Sequence, residues 1–281
     1  MAQDVIIKNP DKLEVLIDKF KKDGKDKFFI VSDFDRTLTR MFVGEQKMVT
    51  VIGQIRSGEY LSPEYIRQAH ALYDKYYPYE IDPNLSRQER SAKMSEWWRE
   101  HFKLLIESGF SKQVIAEIIN KKSLRFRDGA FELLEQLNEY QIPLIILSAA
   151  PGDMLNEYLV IDKIDFKNIY VIADFLEYDE NGKAIAVKEP VIHSANKNEI
   201  NIYDFPAGRA ITGRSNVIVI GDSLDDLDVL EKLKFDNLIT IGFLHPNLEN
   251  QLELYKEKFD VVLTGDPSMR YVNDLINKIT E

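Results

Sequence analysis

The sequence predicts an α/β fold, a doubly wound parallel sheet with an inserted helical cap, and three observations support it. Short apolar runs that end in polar residues alternate with helical patterns, as in buried parallel strands joined by helices. After the first run, about 80 residues show helical periodicity alone. The strand–helix alternation then resumes towards the end of the chain. We therefore expect an α/β core formed by residues 1–43 and 123–281, interrupted by a helical cap of residues 44–122.

Composition limits the classes of protein to consider. With 281 residues, of which 44% are hydrophobic, the chain can bury a substantial core. The formal net charge of −11 argues against nucleic-acid or anionic-membrane partners, and an anionic substrate would need local positive groups and a metal ion. The lack of cysteine excludes disulfides and thiolate ligands. Because the start lacks a signal pattern and no apolar segment could span a bilayer, we expect a soluble cytoplasmic protein, which we take to be a monomer.

The first predicted helix precedes the first strand. Asn9 is a suitable cap, Pro10 fits the first helical position and Gly24 would end the element. The apolar face of this helix is expected to pack on the sheet.

The first strand, which starts at Phe28, leads directly into Asp33 and Asp35. In open α/β sheets, chemistry lies at the carboxyl edge of the strands. Three later stretches would add polar side chains at the same edge: Ser148 after the run from Pro143, Lys197 in a polar segment, and Asp222 with Asp226 after the run from Val217.

This cluster suits phosphoryl transfer to a carboxylate. Carboxylates crowded into one pocket need a cation, and oxygen ligands without cysteine or paired histidine favour Mg²⁺ over zinc. Asp33, Asp35, Asp222 and Asp226 would share such an ion, which would keep Asp33 ionised. Asp33 would attack phosphorus to give an aspartyl-phosphate, and Asp35 would act as acid and base. Lys197 would supply compensating positive charge.

Helical patterns fill the segment between the two parts of the core. One helix is predicted over Ser62–Tyr77, where Pro78 stops it, and a capping box at Ser86 opens a second that runs to about Ser108. Ser111 starts a third. A cap of this kind would exclude water and recognise the leaving group.

The second part of the core returns to alternation. Its patterns predict, in order, a helix from Arg127 to Tyr140, a strand at Pro143, a helix after Gly152, a strand at Ile169, a hairpin that turns at Asn181-Gly182, the Val217 strand, a helix from Leu224, and strands near residues 238–241 and 261–263.

In this order the motifs resemble the haloacid-dehalogenase superfamily of aspartate-nucleophile phosphotransferases. More specifically, the chain resembles the pyrimidine 5′-nucleotidase family (cytosolic, type III), from about residue 28 to the end. The stretches that carry this resemblance are Tyr76-Tyr77-Pro78-Tyr79-Glu80-Ile81-Asp82-Pro83, Met94-Ser95-Glu96-Trp97-Trp98, Ser148-Ala149-Ala150-Pro151-Gly152-Asp153 and Ile192-His193-Ser194-Ala195-Asn196-Lys197.

The resemblance implies a haloacid-dehalogenase-like core, with Asp33 as nucleophile, Asp35 as acid and base and Lys197 as the lysine on the phosphate side. It also implies that Asp33, Asp35 and Asp222 are ligands of Mg²⁺, with Asp226 in support. It adds phosphate binding by Ser148 and Ala149 and recognition of the base by Glu80. A glutamate can accept hydrogen bonds from cytosine N4 or uracil N3.

Further cap residues would contact the base. We expect Trp98 to be a stacking surface, because the family has an aromatic residue there, and Trp97, on the same apolar stripe, to belong to the core of the cap. His101 stands where the family commonly has a serine that contacts substrate, and Ala150 replaces a glycine in the phosphate loop. Trp98 is larger than the tyrosine of many members, which would favour a cationic base such as 7-methylguanine through cation–π attraction.

Three residues near the motifs have other interpretations. His193 is interpreted as a structural residue of the lysine loop and as the one remaining histidine near the site. Lys188, the alternative to Lys197, is interpreted as an exposed charge at a strand edge. Asp225 and Asp226 compete for the second acidic role in the last motif. The spacing of the family that the chain resembles implies Asp226, and Asp225 is expected to cap the next helix.

The sequence thus predicts a Mg²⁺-dependent 5′-nucleotidase whose partner is a small-molecule nucleoside monophosphate, such as CMP, UMP or 7-methylguanosine monophosphate. Transfer of the phosphoryl group to a second nucleoside is a possible side activity, since an aspartyl-phosphate does not dictate its acceptor. The alternatives are a phosphatase for another small phosphomonoester, such as phosphoserine, and a catalytically silent binding or scaffold protein.

Overall fold

The computed structural model describes residues 5–82 and 84–281, and all side chains in these ranges except those of residues 247–249. The first four residues of the predicted core, and Pro83 of the family-like stretch, lie outside the described residues. Within the described ranges, no helix has the length and apolar character needed to cross a membrane.

Eleven strands are found in the described chain. In chain order they are β1 (Val5–Ile7), β2 (Phe28–Ser32), β3 (Phe42–Val43), β4 (Gln46–Lys47), β5 (Leu144–Pro151), β6 (Ile169–Asp174), β7 (Leu176–Tyr178), β8 (Ala184–Val187), β9 (Asn216–Gly221), β10 (Asn237–Leu244) and β11 (Val261–Thr264). Seven of them form one central sheet in the order β1-β11-β10-β9-β2-β5-β6. All neighbours are parallel except β1, which pairs antiparallel with β11 at one edge. The predicted α/β class with a parallel sheet is confirmed.

Strand β2 lies inside the sheet because it is apolar on both faces, and all five of its residues are buried. Ile30 lies opposite Ile218 of β9 on one side and Leu144 of β5 on the other. The amide of Asp33 extends the ladder by donating to the carbonyl of Ile220 at 3.0 Å. The first carboxylate after β2 is therefore held at the middle of the carboxyl edge.

Ten α-helices accompany the strands in the described chain. They are α1 (Pro10–Asp23), α2 (Val51–Ser57), α3 (Pro63–Ile81), α4 (Arg87–Glu107), α5 (Lys112–Asn120), α6 (Ala130–Glu139), α7 (Gly152–Ile161), α8 (Pro206–Ile211), α9 (Leu252–Lys258) and α10 (Arg270–Thr280). Helix α1 begins as predicted, with the side chain of Asn9 accepting from the amide of Lys12, and it ends at Gly24. It packs against α10 and β10.

Helices α2 to α5 provide the regular structure from Val51 to Asn120, between β4 and α6. Helices α3 and α4 pack against each other, α2 contacts α3 and β5, and α5 packs on α7. The hairpin β7–β8 is confirmed, whereas the short hairpin β3–β4 was not predicted and crosses the expected start of the cap at residue 44. The division of the chain into core and cap at the stated boundaries stays a prediction.

The prediction that Pro78 ends its helix is wrong, because α3 continues to Ile81. Pro78 has no N–H to donate, so the carbonyl of Asp74 lacks its helical hydrogen bond. Asp74 is exposed, so water can replace that bond, and only one turn of helix follows. Glu80 therefore lies on the last turn of a helix and not in a solvated loop.

The helix predicted from Leu224 is a 3₁₀ helix, Leu224–Glu231, and not an α-helix. Its tighter winding begins where the amide of Asp226 donates to the carbonyl of Ser223 at 3.2 Å.

Candidate active site

The carboxyl edge of the sheet brings together the ends of three adjacent strands. Asp33 follows β2, Ser148 lies within β5 and Asp222 follows β9, and these strands are consecutive in the sheet. Lys197 comes from the loop between β8 and α8, and its side chain reaches the same edge.

The ammonium group of Lys197 joins the two sides of this edge. It donates to Oδ1 of Asp33 at 2.7 Å, to Oδ1 of Asp226 at 2.7 Å and to the carbonyl of Leu147 at 3.0 Å. Burial alone favours the neutral amine, but the charges of Asp226 and Asp33 outweigh it and raise the pKa of Lys197. Lys197 is therefore a permanent cation between two carboxylates.

Three buried carboxylates share that one cation. Burial raises the pKa of Asp33 well above its ordinary value, against the opposing effect of Lys197, and Asp226 and Asp222 raise it further. Burial also raises the pKa of Asp226. At Asp222 burial acts in the same direction, but the contact with His245 and nearby positive charges outweigh it and lower the pKa. The site is therefore short of positive charge.

This donor set fits a hard divalent cation. In the described part of the chain, no three histidine, cysteine, aspartate or glutamate side chains form a ready-made metal cage. The mutual influence of Asp33, Asp222 and Asp226 nevertheless shows several buried carboxylates near one ammonium group, which is costly without further positive charge. Oxygen donors of this type suit Mg²⁺.

Asp35 has a different environment. Its two carboxylate oxygens accept from the amide of Val51, at 3.0 and 3.1 Å, which ties Asp35 to the first turn of α2. Burial, only partly offset by this hydrogen bond and by Arg36, raises the pKa of Asp35 to about 7. A carboxyl group of this kind can hold a proton near neutral pH and release it.

Ser148 and Ala149 lie on an irregular part of β5, where the register with β6 shifts between Leu147 and Pro151. The hydroxyl oxygen of Ser148 accepts from the amide of Ala150 at 3.2 Å, so its hydrogen can be donated elsewhere. Helix α7 begins at Gly152, four residues after Ser148.

The element after β9 is packed closely against the site. A Cβ at Gly221 would lie 2.1 Å from Oδ2 of Asp226, so only glycine fits there. Ser223 and Asp226 form the capping box of the 3₁₀ helix. The prediction that Asp225 caps this helix is wrong, because Asp225 instead pairs with Arg90 of α4 at 2.6 Å.

A cavity of about 290 Å³ opens between these residues and the helices α2 to α4. Its lining includes seven predicted site residues, Asp33, Asp35, Glu80, Trp98, His101, Ser148 and Ala149. Lys197, Asp222 and Asp226 are not among the lining residues. The remaining walls are formed by Arg36, Lys47, Thr50, Ile52, Arg56, Tyr73, Tyr77, Trp97, Phe102 and Ala150.

Glu80 connects the cavity to the lysine loop. Its Oε1 accepts from the hydroxyl of Ser194 at 2.7 Å, and burial raises its pKa. In the same loop, Nδ1 of His193 accepts from the amide of Ala195 at 3.3 Å, which puts the ring proton on Nε2, 2.8 Å from the hydroxyl of Ser95. His193 therefore joins the loop to α4.

The two tryptophans of α4 have different surroundings. Trp97 is buried and stacks on Tyr76 at 6.2 Å between centroids, with an interplanar angle of 14°. Trp98 is half-buried, and its Nε1 donates to the carbonyl of Ala149 at 3.2 Å, which links α4 to β5. Trp97 also borders the cavity, so its burial does not remove it from the site.

His101 is almost fully buried, and its Nε2 lies 3.2 Å from the hydroxyl of Tyr65. Burial, with the positive charge of Arg56, lowers the pKa of His101 to about 3. The ring is therefore neutral, and it lines the cavity.

The interpretation of His193 as the one remaining histidine near the site is wrong, because Nε2 of the buried His245 lies 3.4 Å from Asp222. His245 directly follows β10, and that position at a strand end was a usable signal.

Sequence reasoning also missed the buried Arg127, whose Nε donates to the carbonyl of Thr37 and whose Nη1 pairs with Asp266, both at 2.8 Å. No short-range pattern marks such a contact.

Comparison with known proteins adds independent findings. The model of the pyrimidine 5′-nucleotidase family (UMPH-1) matches residues 36–280. The 7-methylguanosine phosphate-specific 5′-nucleotidase of Gallus gallus is 31% identical over 276 residues, 98% of this chain and 96% of that protein. The Homo sapiens protein of the same name is 30% identical over 280 residues, 99% of this chain and 93% of that protein.

Solved structures give the same picture. The crystal structure of cytosolic 5′-nucleotidase IIIB bound to cytidine has a TM-score of 0.84 at 28% identity and covers 98% of this chain and 93% of that one. A substrate-bound phosphoserine phosphatase has a TM-score of 0.52 at 19% identity, over 88% of this chain and 97% of that one, which is a similarity of fold alone.

Proposed function

Because this chain belongs to the pyrimidine 5′-nucleotidase family and is a hydrolase of phosphoric monoesters, we propose that it hydrolyses nucleoside 5′-monophosphates through an aspartyl-phosphate on Asp33. One observation carries this proposal. The carboxylate bonded to Lys197 borders a cavity whose walls include aromatic side chains of α3 and α4, namely Tyr73, Tyr77, Trp97, Trp98 and Phe102. A phosphate at one end and a base at the other would both have partners.

Asp33 is the proposed nucleophile. Its carboxylate oxygen attacks phosphorus, the bond from phosphorus to the 5′ oxygen breaks, and Asp35 gives its proton to the departing nucleoside. Asp35 then takes a proton from water, whose oxygen attacks the same phosphorus, so that inorganic phosphate leaves and Asp33 is restored. Lys197 holds Asp33 in place and balances the negative charge that gathers during both steps.

We propose that Asp33 and Asp222 hold a Mg²⁺ ion, with Asp226 in support through Lys197. Because the carboxylate of Asp35 is bonded to the amide of Val51, a contribution of Asp35 to the ion would come from its main-chain carbonyl. When bound, the ion would keep the carboxylates ionised and polarise the phosphoryl group.

The rest of the substrate would be held by residues around the cavity. The hydroxyl of Ser148 and the amide of Ala149 would donate to the phosphate oxygens. The base would stack on Trp98, with His101 at its edge, and would be read by the second carboxylate oxygen of Glu80, since Oε1 is engaged by Ser194. The relatives include a cytosolic 5′-nucleotidase IIIB bound to cytidine and a 7-methylguanosine phosphate-specific 5′-nucleotidase, and both kinds of base are candidates here.

A panel of phosphomonoesters tests this proposal. We expect Mg²⁺-dependent phosphate release from CMP, UMP and 7-methylguanosine monophosphate, lost after chelation and restored by Mg²⁺, and far slower release from phosphoserine. Similar rates on phosphoserine and on nucleotides would overturn the choice of substrate.

We also propose transfer of the phosphoryl group to a second nucleoside as a side activity, which is measured by including a nucleoside acceptor in the assay. A monomeric, cytoplasmic protein remains the expectation, and light scattering tests the first part.

A further inference from the structure

We propose that Arg56 is a specificity-determining residue, which makes this enzyme prefer nucleoside monophosphates with a neutral base over those with a cationic base. The inference rests on the proposed function and concerns which base the same cavity accepts.

Arg56 reaches the cavity from a helix that is fixed to the catalytic carboxyl group. Helix α2 is capped by Thr50, whose hydroxyl oxygen accepts from the amide of Gly53 at 3.2 Å. The amide of Val51 in its first turn is bonded to Asp35. The helix is therefore anchored at its start, and Arg56 in its last turn lines the cavity.

The guanidinium group of Arg56 rests on an aromatic face. It lies 4.3 Å from the centroid of the Tyr73 ring, and Tyr73 stacks on Tyr77 at 4.8 Å with an interplanar angle of 14°. Across residues 5–82 and 84–281, Arg56 forms no ion pair within 4.0 Å. Its charge is therefore held in place without being neutralised by an adjacent carboxylate, and its N–H donors can serve a ligand.

Nearby acids offset this charge only in part, because Glu80 and Asp74 act on Arg56 through space and neither forms an ion pair with it. Of the acidic residues that line the cavity, Asp33 and Asp35 belong to the catalytic end, and Glu80 is bonded to Ser194. Lys47 adds a further positive group to the cavity wall.

Arg56 lies near a second basic side chain of the cavity, His101. Burial is the main reason that the pKa of His101 falls, and repulsion from Arg56 acts in the same direction. His101 and Arg56 both line the cavity. A positively charged base in this part of the cavity would meet the same repulsion.

The two kinds of base differ in how they meet a guanidinium group. Cytosine, uracil and guanine are neutral and carry carbonyl oxygens that can accept its hydrogen bonds, whereas 7-methylguanine carries a positive charge. Cation–π attraction to Trp98 would favour the charged base, but direct repulsion between two full charges is the stronger effect at similar distances. We therefore expect a discrimination of roughly tenfold against the cationic base.

The test compares GMP with 7-methylguanosine monophosphate, which differ by one methyl group and its charge, with CMP as the neutral pyrimidine. In Arg56→Gln, the ratio of kcat/KM for the methylated over the unmethylated nucleotide should rise roughly tenfold. Arg56→Lys should keep the wild-type ratio. Arg67→Gln, on the exposed face of α3 where Arg67 pairs with Glu64, is the matched control and should change neither value.

Competitive inhibition of the unaltered enzyme provides a second measurement that does not depend on any variant folding. Guanosine should inhibit CMP hydrolysis more strongly than 7-methylguanosine does. An unchanged or lower ratio in Arg56→Gln, or tighter inhibition by 7-methylguanosine, would overturn the inference and leave the proposed function intact. If the wild type released phosphate from no nucleotide, the proposed function itself would fail.

Discussion

At position 197 a single ammonium group is bonded to two buried carboxylates, and this makes its removal informative. Lys197→Met should abolish most phosphatase activity and lower the free energy of unfolding by about 3–5 kcal/mol, because Asp33 and Asp226 would be left buried without their partner. Lys188→Met, at an exposed position, is the matched control and should change neither quantity. Wild-type rates in Lys197→Met would show that the lysine is no part of the chemistry.

Two buried histidines, His193 and His101, should make the free energy of unfolding depend on pH. Burial lowers the pKa of His193 to about 4 and that of His101 to about 3. In the folded state both rings therefore stay neutral at pH values at which the histidines of the unfolded chain are already protonated. The unfolded chain then binds more protons, and stability is lost as the pH falls from about 6.5 towards 4.

The contribution of His193 to this loss is at most about 3 kcal/mol. His193→Gln should flatten the slope of the unfolding free energy between about pH 6.5 and 4, as measured by urea denaturation at several pH values. The same change at the exposed His70 is the control. An unaltered slope in His193→Gln would contradict a neutral buried ring.

At the scale of elements, α4 joins the helical segment to the catalytic edge. Arg87 and Arg90 near its start pair with Asp228 and Asp225, each at 2.6 Å, on the 3₁₀ helix that also carries Asp226. These partly exposed pairs are sensitive to salt. Closure of the cavity would therefore depend in part on charge.

Replacing both arginines by glutamine should lower kcat/KM roughly five- to tenfold and reduce its dependence on NaCl concentration. Lys103→Gln is the control, because Lys103 pairs with Glu107 inside α4 and not with the 3₁₀ helix. Identical salt profiles for the wild type and the double variant would contradict a role for these pairs in closure.

Elements differed in how well the sequence predicted them. The start of α4 was predictable because Ser86 and Glu89 form a local capping box, and β2 because an apolar run has few alternatives. The end of α3 was not, since the exposed end of a helix tolerates Pro78. Local chemistry sets the starts of helices more strictly than it sets their last turns.

The parallel sheet brings motifs that are far apart in sequence together in one site. Asp33, Ser148 and Asp222 were predictable as neighbours, because parallel strands end at one edge. The roles of Arg56 and Arg127 were not, because contacts such as Arg127 with Asp266 join residues far apart in sequence and leave no local pattern. Long-range contacts of this kind require the folded chain.

The attack of Asp33 on phosphorus can be detected directly, because it leaves a phosphoryl group on that side chain. The enzyme is mixed with CMP and Mg²⁺, quenched in acid during turnover and reduced with borohydride, which converts an aspartyl-phosphate into homoserine, and its peptides are then analysed by mass spectrometry. We expect homoserine at position 33, and none in Asp33→Asn. Turnover with no such conversion, or with conversion at another aspartate, would contradict it.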